Sequence, residues 1–316
     1  MASPFTTSST TQILREKLSG FVNKPTDDNP YVLTQELADA IDVALLLGQP
    51  LLITGEPGTG KTVLAQCLQK LFDLELYVFN TKTTSLANDL LYQYDMLRHF
   101  VDAQIQKDKL TVIENYISMG MLGRAFEKAL INQQNAMSAD TASKLKMRSI
   151  VLIDEIDKAP RDFPNDLLNE LDRYRFTVKE TQKEVACDPD LKPIIIVTSN
   201  TEKNLPEPFL RRCVFHHISF EKDRYKMLDD IVRARFGAGN DGLYQKAKAM
   251  FIDLRNNNNM QKKPATAEFL GWFHLLIEMS KQNKEINEGK FPLALYSALA
   301  KNKNDLDLLL KLNSNS

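Results

Sequence analysis

Apolar positions along the chain follow two rhythms, and the change from one to the other divides it. Residues up to Thr11 are Ser/Thr-rich and a short amphipathic piece spans Leu14–Phe21, so residues 1–25 read as a frayed, flexible tail. From Pro30 the pattern tightens. Leu37, Ala40 or Ile41, Ala44 and Leu45 recur at helical spacing, and Gly48-Gln49-Pro50 stops that helix. Leu51-Leu52-Ile53-Thr54 is then a short strand running into a Gly-rich turn, after which Val63, Leu64, Cys67, Leu68 and Leu71 mark a helix. Four more apolar runs read as strands: Leu76–Phe79, Ile150–Ile153, Ile194–Thr198 and Val214–Ile218. None alternates, which is the signature of strands buried on both faces of a parallel sheet with helices between them.

Beyond about Phe220 strands cease. Met227/Ile231, Tyr244/Ala247/Phe251/Leu254, Phe269/Phe273/Leu276 and Leu306/Leu309 all step at helical spacing, with a polar loop at Asn256–Asn259. The expected organisation is a flexible tail (1–25), an α/β domain (26–220) and a helical domain (221–316). Hydrophobic residues at 43% and charged residues at 26% suit a globular protein, and the formal net charge of −1 gives no overall footprint for nucleic acid. No apolar run approaches the ~18 residues of a membrane helix, and the N-terminus lacks the basic-then-apolar order of a secretory signal. The three cysteines, Cys67, Cys187 and Cys213, form neither a C-x-x-C motif nor a disulfide framework, so a reducing, cytoplasmic setting is expected.

Chemistry enters at the first strand. Gly55-Glu56-Pro57-Gly58-Thr59-Gly60-Lys61-Thr62 matches G-x-x-x-x-G-K-[ST] in full, after a strand and opening a helix. Glycines let backbone N–H groups turn inward around phosphates, and the helix N-terminus adds partial positive charge. Gly55 through Val63 are therefore the candidate nucleotide contacts, with Lys61 reaching the β/γ-phosphates and the Thr62 hydroxyl ligating Mg²⁺. Ile150–Ile153 ends in Asp154-Glu155. Asp154 is the candidate Mg²⁺ carboxylate and Glu155 the base that orients and deprotonates the attacking water. Ile194–Val197 delivers Thr198 and Asn200 to the same sheet edge, where ligands of open α/β sheets bind. Asn200 is placed to hydrogen-bond the water or the γ-phosphate. Arg211 and Arg212, one strand away, are candidates for a cation supplied to the next subunit, Arg212 first.

This set resembles the AAA+ ATPases, and more narrowly their MoxR-like branch, over roughly residues 28–280. The phrases that carry it are Pro50–Thr62, Ile153-Asp154-Glu155-Ile156-Asp157-Lys158-Ala159, Thr198-Ser199-Asn200 and Leu210-Arg211-Arg212-Cys213, joined by Leu122-Gly123-Arg124-Ala125 and Pro264-Ala265-Thr266-Ala267-Glu268. The resemblance implies a P-loop α/β domain with a C-terminal helical lid. It also implies ATP hydrolysis with Mg²⁺ by a homo-oligomeric ring, usually a hexamer, that remodels or matures client proteins, often partners with a von Willebrand factor A domain. Lys61 and Asp154 stand 93 residues apart by number, which leaves room for a helical insert at about 82–148, as MoxR-like proteins carry. Arg175–Val178 and Glu184–Ala186 flank a polar turn and read as a hairpin at about 175–186, similar to the family's hairpin before sensor 1. The family's second sensor arginine has no counterpart near 263–268, where Lys263 is the candidate cation.

Other features are set aside. Asn302-Lys303-Asn304-Asp305 spells the guanine-reading N-K-x-D but follows no buried strand. His216 and His217 are adjacent on a strand and point to opposite faces, so no zinc pair is expected. Trp272 and Cys67 fall on helical stripes and read as core. The rival reading is a nucleotide-gated DNA-acting module. Against it, the insert and hairpin carry no Arg/Lys stripe with interleaved aromatics.

Overall fold

The computed structural model describes residues 8–105, 112–130, 140–200, 205–219 and 224–314. The chain divides into two units: one of residues 1–24, 33–55 and 61–217, the other of 25–32, 56–60 and 218–316.

The first unit is an α/β layer structure. It opens with α1 (Ser9–Phe21) and α2 (Gln35–Leu47), then β1 (Leu51–Gly55), α3 (Lys61–Phe72) and β2 (Glu75–Asn80). The insert carries α4 (Ala87–Leu91), β3 (Tyr92–Tyr94), α5 (Met96–Ile105), β4 (Ile117–Met119), α6 (Met121–Lys128) and α7 (Thr141–Met147). After β5 (Ser149–Asp154) come α8 (Phe163–Asp166), α9 (Leu168–Arg173) and a hairpin of β6 (Arg175–Val178) and β7 (Lys183–Ala186). The unit closes with β8 (Ile194–Ser199), α10 (Glu207–Leu210) and β9 (Val214–Ile218).

The main sheet has strand order β2-β5-β8-β1-β9. β1, β5 and β8 pair in parallel, Leu52 opposite Val197 and Leu152 opposite Ile196, and are buried throughout except Asp154 at the end of β5. Their Val/Ile/Leu runs meet helices on both faces, as the sequence pattern required. The outer strands differ: β2 and β9 are partly exposed along their length, because an edge strand has one flank without a neighbour. Phe126, Phe163, Tyr174, Phe176 and Phe209 fill the space over β5 and β8 in one continuous core.

Two expectations need correction. Residues 9–21 are not a frayed tail. Ser8 caps α1 by accepting from the Thr11 N–H at 3.3 Å, and Leu14, Leu18 and Phe21 are buried at i, i+4 and i+7. Arg15 donates to both Asp42 oxygens at 2.5 and 2.9 Å, and the buried Arg148 donates to Thr11 Oγ1 at 2.9 Å and to the Lys192 carbonyl at 3.0 Å. Burial pushes the Arg148 guanidinium down to about 10. The stripe at Leu14–Phe21 is amphipathic because it has a core to meet; residues 1–7 lie outside the described residues. Second, the insert is not purely helical. β3 and β4 form an antiparallel ladder, Tyr92 opposite Met119 and Tyr94 opposite Ile117. Two three-residue strands are too short to show a period of two in sequence.

The second unit is helical after β9: α11 (Arg224–Phe236), α12 (Asp241–Asn256), α13 (Thr266–Ser280) and α14 (Lys303–Ser314). Its core is aromatic, with Phe269 and Phe273 stacked at 5.9 Å and Trp272 edge-on to Phe291 at 5.2 Å. Trp272 is fully buried, as is the Cys67 side chain in the first unit. Asn302 and Asp305 have a structural task. The Asn302 carboxamide oxygen accepts from the Asp305 N–H at 2.7 Å, and the buried Asp305 carboxylate accepts from the N–H groups of Gln261 and Lys262 at 2.8 and 3.0 Å.

Candidate functional site

The C-terminal ends of β1, β5 and β8 stand side by side, because the parallel register places Ile53 opposite Thr198 and Ile153 opposite Val197. The residues that follow are the polar ones picked out in the sequence. Asp154 is at the centre. Its carboxylate accepts from Thr62 Oγ1 at 3.0 and 3.1 Å and from Thr198 Oγ1 at 2.5 Å. Thr198 is fully buried, and its hydroxyl oxygen also accepts from the Glu155 N–H at 2.8 Å. One hydroxyl thus fixes both acids of the strand end.

Glu155 adopts φ 56° and ψ 51°, the left-handed region that a side-chain-bearing residue seldom occupies. Such a conformation costs on the order of 1–2 kcal/mol and persists where the surroundings over-determine it. Here the over-determining contact is the Thr198 hydroxyl. The Glu155 carboxylate pairs with Lys158 and lies 3.5 Å from Asn200 Nδ2, and its side chain is 40% exposed, open to solvent.

Lys61 is only 6% exposed. Its ammonium donates to the Gly55 carbonyl at 2.8 Å and to Asn200 Oδ1 at 2.9 Å. Asn200 is therefore shared between the lysine and the acid. Its own N–H donates to Asp157 at 3.1 Å, which gives Asp157 a positioning task rather than a chemical one. Thr62 follows Lys61 in the first turn of α3, and Val63 beside it is 49% exposed.

Between Gly55 and Lys61 the loop residues belong to the second unit. Thr59 Oγ1 donates to the Glu56 carbonyl at 2.9 Å and closes the turn. Gly58 has φ +76°, where a side chain is strained, and a Cβ there would be crowded at 3.1 Å by both Ala265 Cβ and Glu268 Oε2. Its carbonyl accepts from the Ala267 N–H at 3.1 Å. Glu56 accepts from Arg255 Nη2 at 3.3 and 3.0 Å. The sequence carried no sign of this pair. Arg255 stands in the last turn of a helix, and only its near-complete burial singles it out.

The two arginine candidates have partners of their own. Arg212 donates to Asp172 at 2.6 Å and to the Pro208 carbonyl at 2.9 Å, whereas Arg211 pairs with Glu207 and is 75% exposed. Lys263 is exposed. His217 Nδ1 shares a hydrogen bond with Thr54 Oγ1 at 2.8 Å.

The donor set suits a hard cation held jointly with a phosphate. Asp154 and Thr62 offer hard oxygens, and Mg²⁺ is commonly bound through one or two protein oxygens plus substrate phosphates. Among the described residues no helix is long and apolar enough to cross a membrane.

No curated protein matches the chain. Among solved structures, one described as a "putative ATPase" from Cytophaga hutchinsonii ATCC 33406 is similar, 14% identical, covering 92% of this chain and 88% of that chain with a TM-score of 0.42. A family model described as "AAA domain (dynein-related subfamily)" matches residues 50–213, more than half of the 316-residue chain, and spans Asp154, Glu155 and Asn200. The chain belongs to that family of AAA domains.

Proposed function

We propose that the protein hydrolyses ATP and uses the energy to remodel a partner protein, as a MoxR-like member of the AAA+ ATPases. The observation that carries the reading is the linked set Thr62–Asp154–Thr198–Glu155, in which one acid is held between two hydroxyls and the next projects toward solvent. In this reading Gly55, Glu56, Pro57, Gly58, Thr59, Gly60, Lys61, Thr62 and Val63 form the phosphate loop, with the half-exposed Val63 contributing through its backbone. Lys61 binds the β/γ-phosphates. Thr62 and Asp154 would hold Mg²⁺, which when bound neutralises phosphate charge. Glu155 takes the proton of the attacking water, and Asn200 orients that water or the γ-phosphate.

Arg212 completes the site of a neighbouring subunit in a homo-oligomeric ring, usually a hexamer in this branch, with Arg211 the second candidate. Asp172 and the Pro208 carbonyl pre-position Arg212, and leaving Asp172 is the step that ring assembly must repay.

A protein partner fits the insert better than nucleic acid does. α5 exposes Met96, Leu97, Phe100, Val101 and Ile105, an apolar surface that attracts another apolar surface and not a phosphate backbone. The hairpin β6–β7 is anchored to β3 of the same insert. The Lys179 N–H donates to the Tyr92 hydroxyl at 3.1 Å, and Phe176 stacks on Tyr92 at 6.1 Å. The Leu122-Gly123-Arg124-Ala125 phrase fits the same place, since a Cβ on Gly123 would lie 1.9 Å from the Leu91 carbonyl oxygen. Insert and hairpin are thus read as one face that docks a folded client, with a von Willebrand factor A domain protein as the partner the MoxR-like resemblance implies.

The test is phosphate release from ATP. Wild-type protein is expected to release phosphate only with Mg²⁺ present, and Lys61→Ala to weaken ATP binding roughly tenfold or more, a charge-assisted contact being worth ~1.5–3 kcal/mol. Lys61→Ala that binds and hydrolyses ATP like wild type would overturn the reading.

A further inference from the structure

The phosphate loop carries an acid at its second position. A carboxylate there is a like charge beside the place where the proposed reading puts three phosphates, so its compensation matters. The compensation is visible. Arg255, on α12, keeps only 5% of its side chain exposed and directs Nη2 at both oxygens of Glu56, at 3.3 and 3.0 Å. Its Nη1 donates to the Pro264 carbonyl at 2.7 Å, so the guanidinium bridges the loop and the segment entering α13.

That segment is itself held. Asp305 accepts from the N–H groups of Gln261 and Lys262, and Glu268 accepts from the Ala265 N–H at 3.1 Å to cap α13. The same helix start meets the loop a second time, through the Ala267 N–H to the Gly58 carbonyl at 3.1 Å. Segment 56–60 is therefore gripped at two points, one of them charged.

We propose that Arg255 is a positioning residue for the phosphate loop. It neutralises Glu56 and fixes segment 56–60 in the shape that accepts a nucleoside triphosphate, and it rests on the ATP-binding reading above. Arg255 does not touch the phosphates in this account; it acts through Glu56. The identity of the partner predicts a specific genetic signature. Removing Arg255 takes its cation away from the loop carboxylate, and removing that carboxylate as well takes the added charge away.

The experiment is titration of a fluorescent ATP analogue, without Mg²⁺, into wild type, Glu56→Gln, Arg255→Ala and the double variant. Glu56→Gln removes the like charge and one anchor of the loop together, so its effect on binding is expected to be smaller than that of Arg255→Ala. Arg255→Ala should bind about tenfold more weakly at low ionic strength, as one uncompensated like charge acts on an anion, and the gap should narrow near about 0.5 M salt. The double variant should return to within about threefold of wild type, a coupling that loss of packing alone would not produce. Circular dichroism checks folding. Should Arg255→Ala fail to fold, Arg255→Gln with and without Glu56→Gln carries the same comparison. Arg255 variants that bind like wild type, or a double variant as weak as the single, would overturn the inference. Wild-type protein that fails to bind the analogue would overturn the ATP reading itself, so the two failures are told apart.

Discussion

The two units hold their polar clusters in different ways. In the α/β unit, Thr62, Asp154, Thr198, Glu155 and Asn200 sit at strand ends or the first turn of a helix, and hydrogen bonds of 2.5–3.1 Å join the hydroxyls to the acids. In the helical unit, Arg255 and Asp305 are buried in the last turn of α12 and the first turn of α14, and both bond backbone groups of the segment 261–264. The first cluster leaves Glu155 facing solvent beside Lys158. The second turns its charges inward and holds a loop. A sheet edge displays functional groups because several strands end together there; a helix pair displays them only where burial forces a charge to find a partner.

The largest effect that would sharpen this contrast concerns Arg212, a residue of the α/β unit paired with Asp172. If it acts on a neighbouring subunit, Arg212→Ala should lower turnover by about 10³–10⁵-fold. Mixing Arg212→Ala with Glu155→Gln subunits should restore part of it, since one interface then joins intact Glu155 to intact Arg212. Activity that is independent of protein concentration, with no recovery on mixing, would remove Arg212 from the site.

A smaller effect tests whether the α/β unit begins at α1. Leu14→Ala leaves a hole among buried residues and should cost about 2–5 kcal/mol in urea unfolding. A loss below about 0.5 kcal/mol, usual for surface positions, would return α1 to the status of a tail.

How much of this was legible in the sequence follows from distance along the chain. Gly55–Thr62 and Ile150–Glu155 were readable because each motif is local: strand, turn and helix lie within a dozen residues. Thr198 stood out as a polar residue ending an apolar run, though its bond to the Glu155 N–H needed the register of β5 against β8. Arg255 and Glu56 are invisible together, because nothing in either neighbourhood announces a partner so remote. The amphipathic stripe of α1 was readable, but not that α2 and α3 receive it. Asn302 and Asp305 spelled a nucleotide motif by accident of capping chemistry: Asn and Asp favour helix starts for their own hydrogen bonds.

Thr198→Val probes the shared hydroxyl at lower cost. The substitution keeps the shape and leaves the Glu155 N–H without its acceptor, so stability should fall by about 1–3 kcal/mol. Turnover should fall with it, because the left-handed turn at Glu155 loses its anchor. Equal stability and turnover would show that the turn holds without it. The smallest effect is chemical. Burial pushes the Cys187 and Cys213 thiols up to about 12, so near pH 8 their reactive thiolate forms are scarce. Iodoacetamide should label them more slowly in the native protein than in urea; equal rates would contradict their partial burial.

The account stands on Glu155 doing chemistry that no other residue of the cluster supplies. The direct measurement is ATP affinity and phosphate release on the same preparation of Glu155→Gln. Affinity is expected within about threefold of wild type, while phosphate release falls by about 10²–10⁴-fold, the usual worth of a general base. Phosphate release within a few-fold of wild type, with ATP bound normally, would contradict the assignment.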